Sequence, residues 1–179
     1  YMADRIEENL GDKVRVFHST CEDLILDETY DMVLFSESFQ YVNILKALNQ
    51  VITATESNGY LLICDFFRKP STGKRPLGGG HNWQTFQDKI SEFPFQQLLN
   101  QDITAETAPT MDIFTTFINE VAEPVQTISA RYLNSHYPSI MKMLRWYFDK
   151  RIAKINSIYF TRSLTSETFN RMKTYRLLL

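Results

Sequence analysis

Residues 14–70 read VRVFHSTCEDLILDETYDMVLFSESFQYVNILKALNQVITATESNGYLLICDFFRKP, and this stretch decides the fold. An apolar run at 14–18 ends at a polar Ser-Thr-Cys-Glu-Asp corner. Asp31 opens a second run to Phe35, which ends in Ser36-Glu37-Ser38. A helical segment at 43–55 follows, then Asn58-Gly59, then a third apolar run over 59–66 that reaches Asp65. The order is strand, acidic corner, strand, helix, strand, with polar residues at the carboxyl ends of the strands. Those ends are where open α/β sheets hold ligands. Near-continuous apolar strands are expected when a parallel sheet is covered on both faces, and a crossover helix at 43–55 packs across one of them.

The totals bound the rest. A chain of 179 residues suffices for one domain with a real core. With 44% hydrophobic and 22% charged residues it has ordinary globular composition, and a net charge of −2 leaves no electrostatic footprint for nucleic acid. The two cysteines, Cys21 and Cys64, lack a CxxC partner and read as reduced thiols. No apolar run nears the ~20 residues of a membrane span, and no signal peptide is evident. The expectation is a soluble, cytoplasmic domain.

Outward from the central stretch, a helix is predicted over 1–10, stopped by Gly11. The basic, Pro/Gly-rich segment from Arg68 to Gly80 is a long loop of the kind that is often functional. A helix over 82–92 and a short strand near 95–100 come next. Helices at about 110–130 and 138–160 follow, the first with Ile113, Phe117, Val121 and Ile128 on one face. A short helix near 166–172 leads into a last strand, 174–179. The long helical stretch between late strands suggests a cap over the sheet's ligand edge. Its aromatic and methionine residues (Phe114, Phe117, Met141, Met143, Trp146, Tyr147, Phe148) read mostly as core. Their density also suits an apolar pocket or a homodimer contact. The organisation is therefore sheet (1–100), helical insertion (101–163), and returning helix and strand (164–179).

The residues Glu22-Asp23-Leu24, Tyr30-Asp31-Met32-Val33-Leu34, Asn58-Gly59-Tyr60-Leu61-Leu62-Ile63 and Phe169…Tyr175-Arg176-Leu177-Leu178 together resemble the class I S-adenosylmethionine-dependent methyltransferases, small-molecule branch. The resemblance implies a Rossmann-like methyltransferase sheet whose first βαβ unit, with its GxGxG loop and ribose-binding acid, lies before Tyr1. It implies that Thr20, Cys21 and Glu22 wrap the adenine of S-adenosyl-L-methionine. Ser36, Glu37 and Ser38 lie where cofactor and substrate meet, and Tyr41 lines the same cleft. The expectation is that residues 1–179 alone do not hold the cofactor tightly.

Each candidate has a plainer reading. Glu37 could orient an amine or accept a proton from a hydroxyl, or it could stabilise the dipole of the following helix. Asp65 sits at a strand's carboxyl end, and capping is its plainer role. His81 follows three glycines and could act as a general base, or simply cap the helix that contains Trp83, a substrate-side candidate. The basic residues Arg68, Lys69, Lys74 and Arg75 read as a solvated loop, or as a contact for a phosphate or an acidic carrier protein. His18 and His136 read as structural. No metal-ligand spacing and no GxSxG elbow occurs. The reaction this pattern favours moves a methyl group to oxygen or nitrogen of a small organic substrate. The alternatives are a lipid- or sterol-type methyltransferase and a non-catalytic Rossmann-like binding or partner subunit.

Overall fold

The computed structural model describes residues 2–70, 78–159 and 164–179. Its centre is a parallel pair. β1 (Tyr30–Ser36) runs beside β2 (Thr55–Arg68), with Val33 opposite Leu61, Phe35 opposite Ile63 and Ser36 opposite Cys64. The register slips between Tyr30 and Met32, where the partner jumps from Thr55 to Tyr60. Asn58 (φ 68°) and Gly59 accommodate that irregularity. A Cβ on Gly59 would stand 2.9 Å from the Asp31 carbonyl, so only glycine permits the strands to approach there.

The helix between the two strands explains their spacing. In α2 (Ile44–Ala54), Asn43 caps the first turn by accepting from the Lys46 amide at 3.2 Å. Ile44, Ala47, Leu48, Val51 and Ala54 are buried at helical spacing. The first four form one core with Phe35, Ile63 and Phe67 from the sheet and Phe86 from α3 (Trp83–Ile90). Each large aliphatic among them stabilises the fold by ~1.5–3 kcal/mol. β2 shows the period of two, with Ile63, Asp65 and Phe67 facing this core and Cys64 and Phe66 the other side.

On that other side a smaller cluster forms around Ala108, Phe169 and Tyr175. It is built from α4 (Thr104–Thr107), α5 (Pro109–Phe117), α8 (Ser166–Met172) and β4 (Lys173–Leu178). β4 runs antiparallel to β2 and to the short β3 (Asn100–Asp102), so the order is β1-β2-β4-β3 in a mixed sheet. An Asp102–Arg176 ion pair at 3.0 Å fastens the outer strand. Between β3 and β4 the helices continue through a π turn at Ile118–Ala122 into α6 (Glu123–His136) and α7 (Pro138–Tyr159). The N-terminal helix, α1, spans Met2–Leu10.

Four expectations are corrected. The run at 14–18 forms no ladder among the described residues, because no neighbouring strand offers it backbone partners. Side chains hold it instead: Arg15 pairs with Asp27 at 2.8 Å and lies over the Phe17 ring. The strand expected near 95–100 shifts to Asn100–Asp102, the residues in ladder with β4, while Leu98 and Leu99 bond to Leu179 just past its end. Coverage of both faces holds over β2 and β4 but not over β1, whose Met32 and Leu34 are exposed. The inserted helices likewise leave Phe117, Met143, Trp146 and Tyr147 exposed rather than in a core. A two-helix hairpin buries only its mutual face, and α6 contributes no buried residue. Lys74 and Arg75 lie outside the described residues.

Candidate functional site

The carboxyl end of β1 is built around a buried anchor. Phe39 is fully buried, its ring edge-on to Phe35, Phe86 and His81. Seating that ring forces the flanking residues Ser36, Glu37, Ser38 and Tyr41 outward, and all four are exposed. A 3₁₀ turn at Phe39–Tyr41 closes the segment, with the Tyr41 amide donating to the Ser38 carbonyl at 3.2 Å.

Glu37 is the conformational exception. Its φ of 50° lies in the left-handed region, which non-glycine residues occupy at a cost. Two contacts hold it there. Its amide donates to the Cys64 carbonyl at 2.9 Å, and its carboxylate accepts from the Tyr175 hydroxyl at 2.8 Å. Tyr175 comes from β4 and is buried. Burial, then the bond to Glu37, pushes its phenol well above the ordinary tyrosine range, so it stays a donor at any physiological pH.

Asp65 fixes the same turn from below. Its carboxylate is buried and accepts from the Gln40 amide at 3.0 Å and the Phe66 amide at 2.7 Å. Burial raises its pKa, the two amides oppose the shift, and the nearby Glu37 charge adds to it.

His81 is brought to this turn by the glycines before it. Its Nε2 lies 2.9 Å from the Phe39 carbonyl. A carbonyl only accepts, so Nε2 is the donor of this bond. Gly80 has φ 74°, and a Cβ there would stand 2.8 Å from the Phe66 carbonyl. That close approach lets the Arg68 amide reach the His81 carbonyl at 2.7 Å. Lys173, buried and over the Phe66 ring, donates to the carbonyls of Gly78 and Gly79 at 2.8 and 2.6 Å.

The Thr20–Glu22 corner joins from the other side. Cys21–Asp23 is a 3₁₀ turn, and Thr20 donates to Asp23 at 2.7 Å. Glu22 accepts from the Asn43 amide at 2.9 Å, which holds its carboxyl below the usual range and ties the corner to the start of α2. Burial pushes the Cys21 thiol up.

Ser36, Glu37, Ser38, Tyr41, Asp65 and His81 thus gather at one sheet edge, with Thr20, Cys21 and Glu22 adjoining. Trp83 stands apart, its indole against Phe67 and Phe86 on the inner face and beneath the Arg176 guanidinium. Tyr175, Gln40 and Lys173 build the site without having been singled out from sequence. An antiparallel return of the last strand beside 59–66 is the signal that would have pointed to Tyr175.

No protein-family model and no curated protein matches the chain. Solved structures do. A candidate sarcosine dimethylglycine methyltransferase from Galdieria sulphuraria superposes with a TM-score of 0.63 at 11% identity, over 98% of this chain and 62% of that one. The O-methyltransferase of a trans-AT PKS multienzyme from Brevibacillus brevis, in complex with S-adenosyl-L-homocysteine, gives 0.52 at 16% identity, over 98% and 52%. The chain therefore has the Rossmann-like α/β fold of these proteins and spans a little over half of their length.

Proposed function

We propose that this chain forms the acceptor-side part of an S-adenosyl-L-methionine-dependent methyltransferase acting on an oxygen or nitrogen of a small organic molecule. The observation that carries the reading is the exposed polar turn Ser36–Tyr41 at the carboxyl end of β1, tied to the Phe39–His81 contact, Asp65 and Tyr175. The fold likeness, with one neighbour holding S-adenosyl-L-homocysteine, supports it.

The residues present fit such a cofactor on one side. Carboxylates and carbonyls dominate the turn, which suits a cation, and the Thr20–Glu22 corner adjoins it as an adenine site would require. The bound cofactor supplies an electrophilic methyl on a sulfonium sulfur. The protein's share is placement and a proton sink. Glu37, held by Tyr175, orients the acceptor's N–H or O–H, with Ser38 and Tyr41 lining its approach. His81 Nδ1 is the second group able to take the proton. Asp65 acts through the turn it braces, and Trp83 through the helix that His81 precedes.

The test is intact-mass screening of the full-length protein with S-adenosyl-L-methionine against a panel of amines, phenols, alcohols and carboxylates. A methyl-sized gain on a panel member is expected, with the rate reduced in Glu37→Gln or His81→Ala. Full activity in both variants would remove those roles, and no transfer to any member would overturn the reading.

A further inference from the structure

The helix that runs from α5 through the π turn into α6 carries an apolar stripe on its outside. Ile113, Phe117, Val121, Val125, Ile128 and Tyr132 are between 45 and 72% exposed. They follow one another at steps of four, four, four, three and four residues. A two-stranded coiled-coil seam alternates steps of four and three, so the second step is one residue too long for a plain α-helix.

The π turn supplies the difference. Pro124 has no amide proton to give the Glu120 carbonyl, and its ring would crowd that carbonyl. The helix widens ahead of it, and the Glu123 amide reaches back to the Ile118 carbonyl across five residues. The eight residues from Phe117 to Val125 then cover the two turns that seven would cover otherwise. With the extra residue absorbed, the six side chains keep the four-three alternation along one line of about 28 Å.

The stripe is also its own complement. Laid antiparallel on a second copy, Ile113 meets Tyr132, Phe117 meets Ile128, and Val121 meets Val125. The smallest side chains fall at the twofold axis, where two crossing helices come closest, and the largest fall at the ends, where they diverge. No acidic or basic residue occupies a seam position.

Area agrees. Six such side chains present several hundred Å², most of the ~800 Å² that one partner contributes to a standard interface. We infer that this seam binds a second copy of the chain as an antiparallel helix pair whose twofold axis passes between Val121 and Val125. A C₂ contact of this kind closes on itself. The inference stands independently of the methyltransferase reading.

Sedimentation velocity of the full-length protein across the micromolar range tests it. The wild type should shift from monomer to dimer with concentration. Val121→Glu and Val125→Lys, each at an exposed position, should keep their circular dichroism and Tm yet dimerise at least about 100-fold more weakly, since each buries an unpaired charge. The double variant V121E/V125K should regain dimerisation, because only the antiparallel register sets the carboxylate introduced in one copy against the ammonium introduced in the other. A wild type that stays monomeric, or a dimer indifferent to both single substitutions, overturns the proposal. Single variants that weaken the dimer without rescue in the double overturn the antiparallel register.

Discussion

Tyr175→Phe removes one oxygen from the centre of the candidate site and little else. The ring keeps its packing beside Phe66, whose centroid lies 6.5 Å away. What is lost is the hydroxyl donated to Glu37 at 2.8 Å and the weak approach of the Cys64 thiol at 3.9 Å. A hydrogen bond to a charged group contributes ~1.5–3 kcal/mol when both partners are buried. Glu37 is exposed and recovers water in the variant, so the net cost falls to ~1 kcal/mol, or a Tm lower by ~2–4 °C for a chain of this length. Tyr175→Ala would cost ~3–5 kcal/mol, because it also empties the cluster with Phe169 and Ala108. The discriminating assay is a double-mutant cycle by urea unfolding of wild type, Y175F, E37Q and the double variant. A coupling energy of ~0.5–1.5 kcal/mol is expected. A cycle that closes to within ~0.3 kcal/mol would show that the two side chains do not support each other, and the account of how Glu37 is held in its left-handed conformation would fail with it.

Alkaline pH tests the same bond from the proton's side. Tyr175 has a pKa raised by folding, so the stability it contributes is complete below the unfolded value of ~10 and is lost as pH rises above it. Between pH ~10 and ~11.5 the wild type should lose stability faster than Y175F, by a slope difference approaching ~1.4 kcal/mol per pH unit; parallel urea midpoints over that range would contradict this. Gly80→Ala should destabilise by ~2 kcal/mol or more, from a left-handed backbone and a Cβ 2.8 Å from the Phe66 carbonyl. Gly78→Ala meets nothing within 4 Å and should stay within ~0.5 kcal/mol. Equal urea midpoints for the two variants would show that the Gly80 contact is not needed.

The elements that sequence reading placed well are those whose local and tertiary signals agree. Asp31 to Phe35 and Tyr60 to Phe66 are apolar runs that also find each other as partners, and α2 has both a cap at Asn43 and a stripe from Ile44 to Val51. Val14 to Phe17 has the same local character without a partner, and it stays outside the sheet. A strand is a property of two segments, so an apolar run predicts half of one. Asn100 to Asp102 makes the converse case, for three polar residues become a strand because β4 stands beside them. The helical insertion shows a third limit. The shared face of Ile113, Phe117, Val121 and Ile128 was legible from spacing alone, but spacing does not say whether a face points to a core or away from one.

The site follows the same division. The placement of Glu37, Asp65 and His81 near one end of the sheet was legible because strand ends and glycine runs mark positions, and position is what sequence carries. Their partners were not, because Tyr175 lies 138 residues from Glu37 and reaches it only through the antiparallel return of β4. That distance has a chemical consequence. As a helix-dipole carboxylate Glu37 would need no side-chain partner, and the structure gives it one in the Tyr175 hydroxyl. With a buried phenol fixed on one oxygen and the carboxylate otherwise open to solvent, the group is oriented without being satisfied. On the proposed reading, that oriented, solvent-open oxygen is the one that takes the acceptor's proton, and E37Q removes this capacity while keeping an acceptor for the Tyr175 hydroxyl.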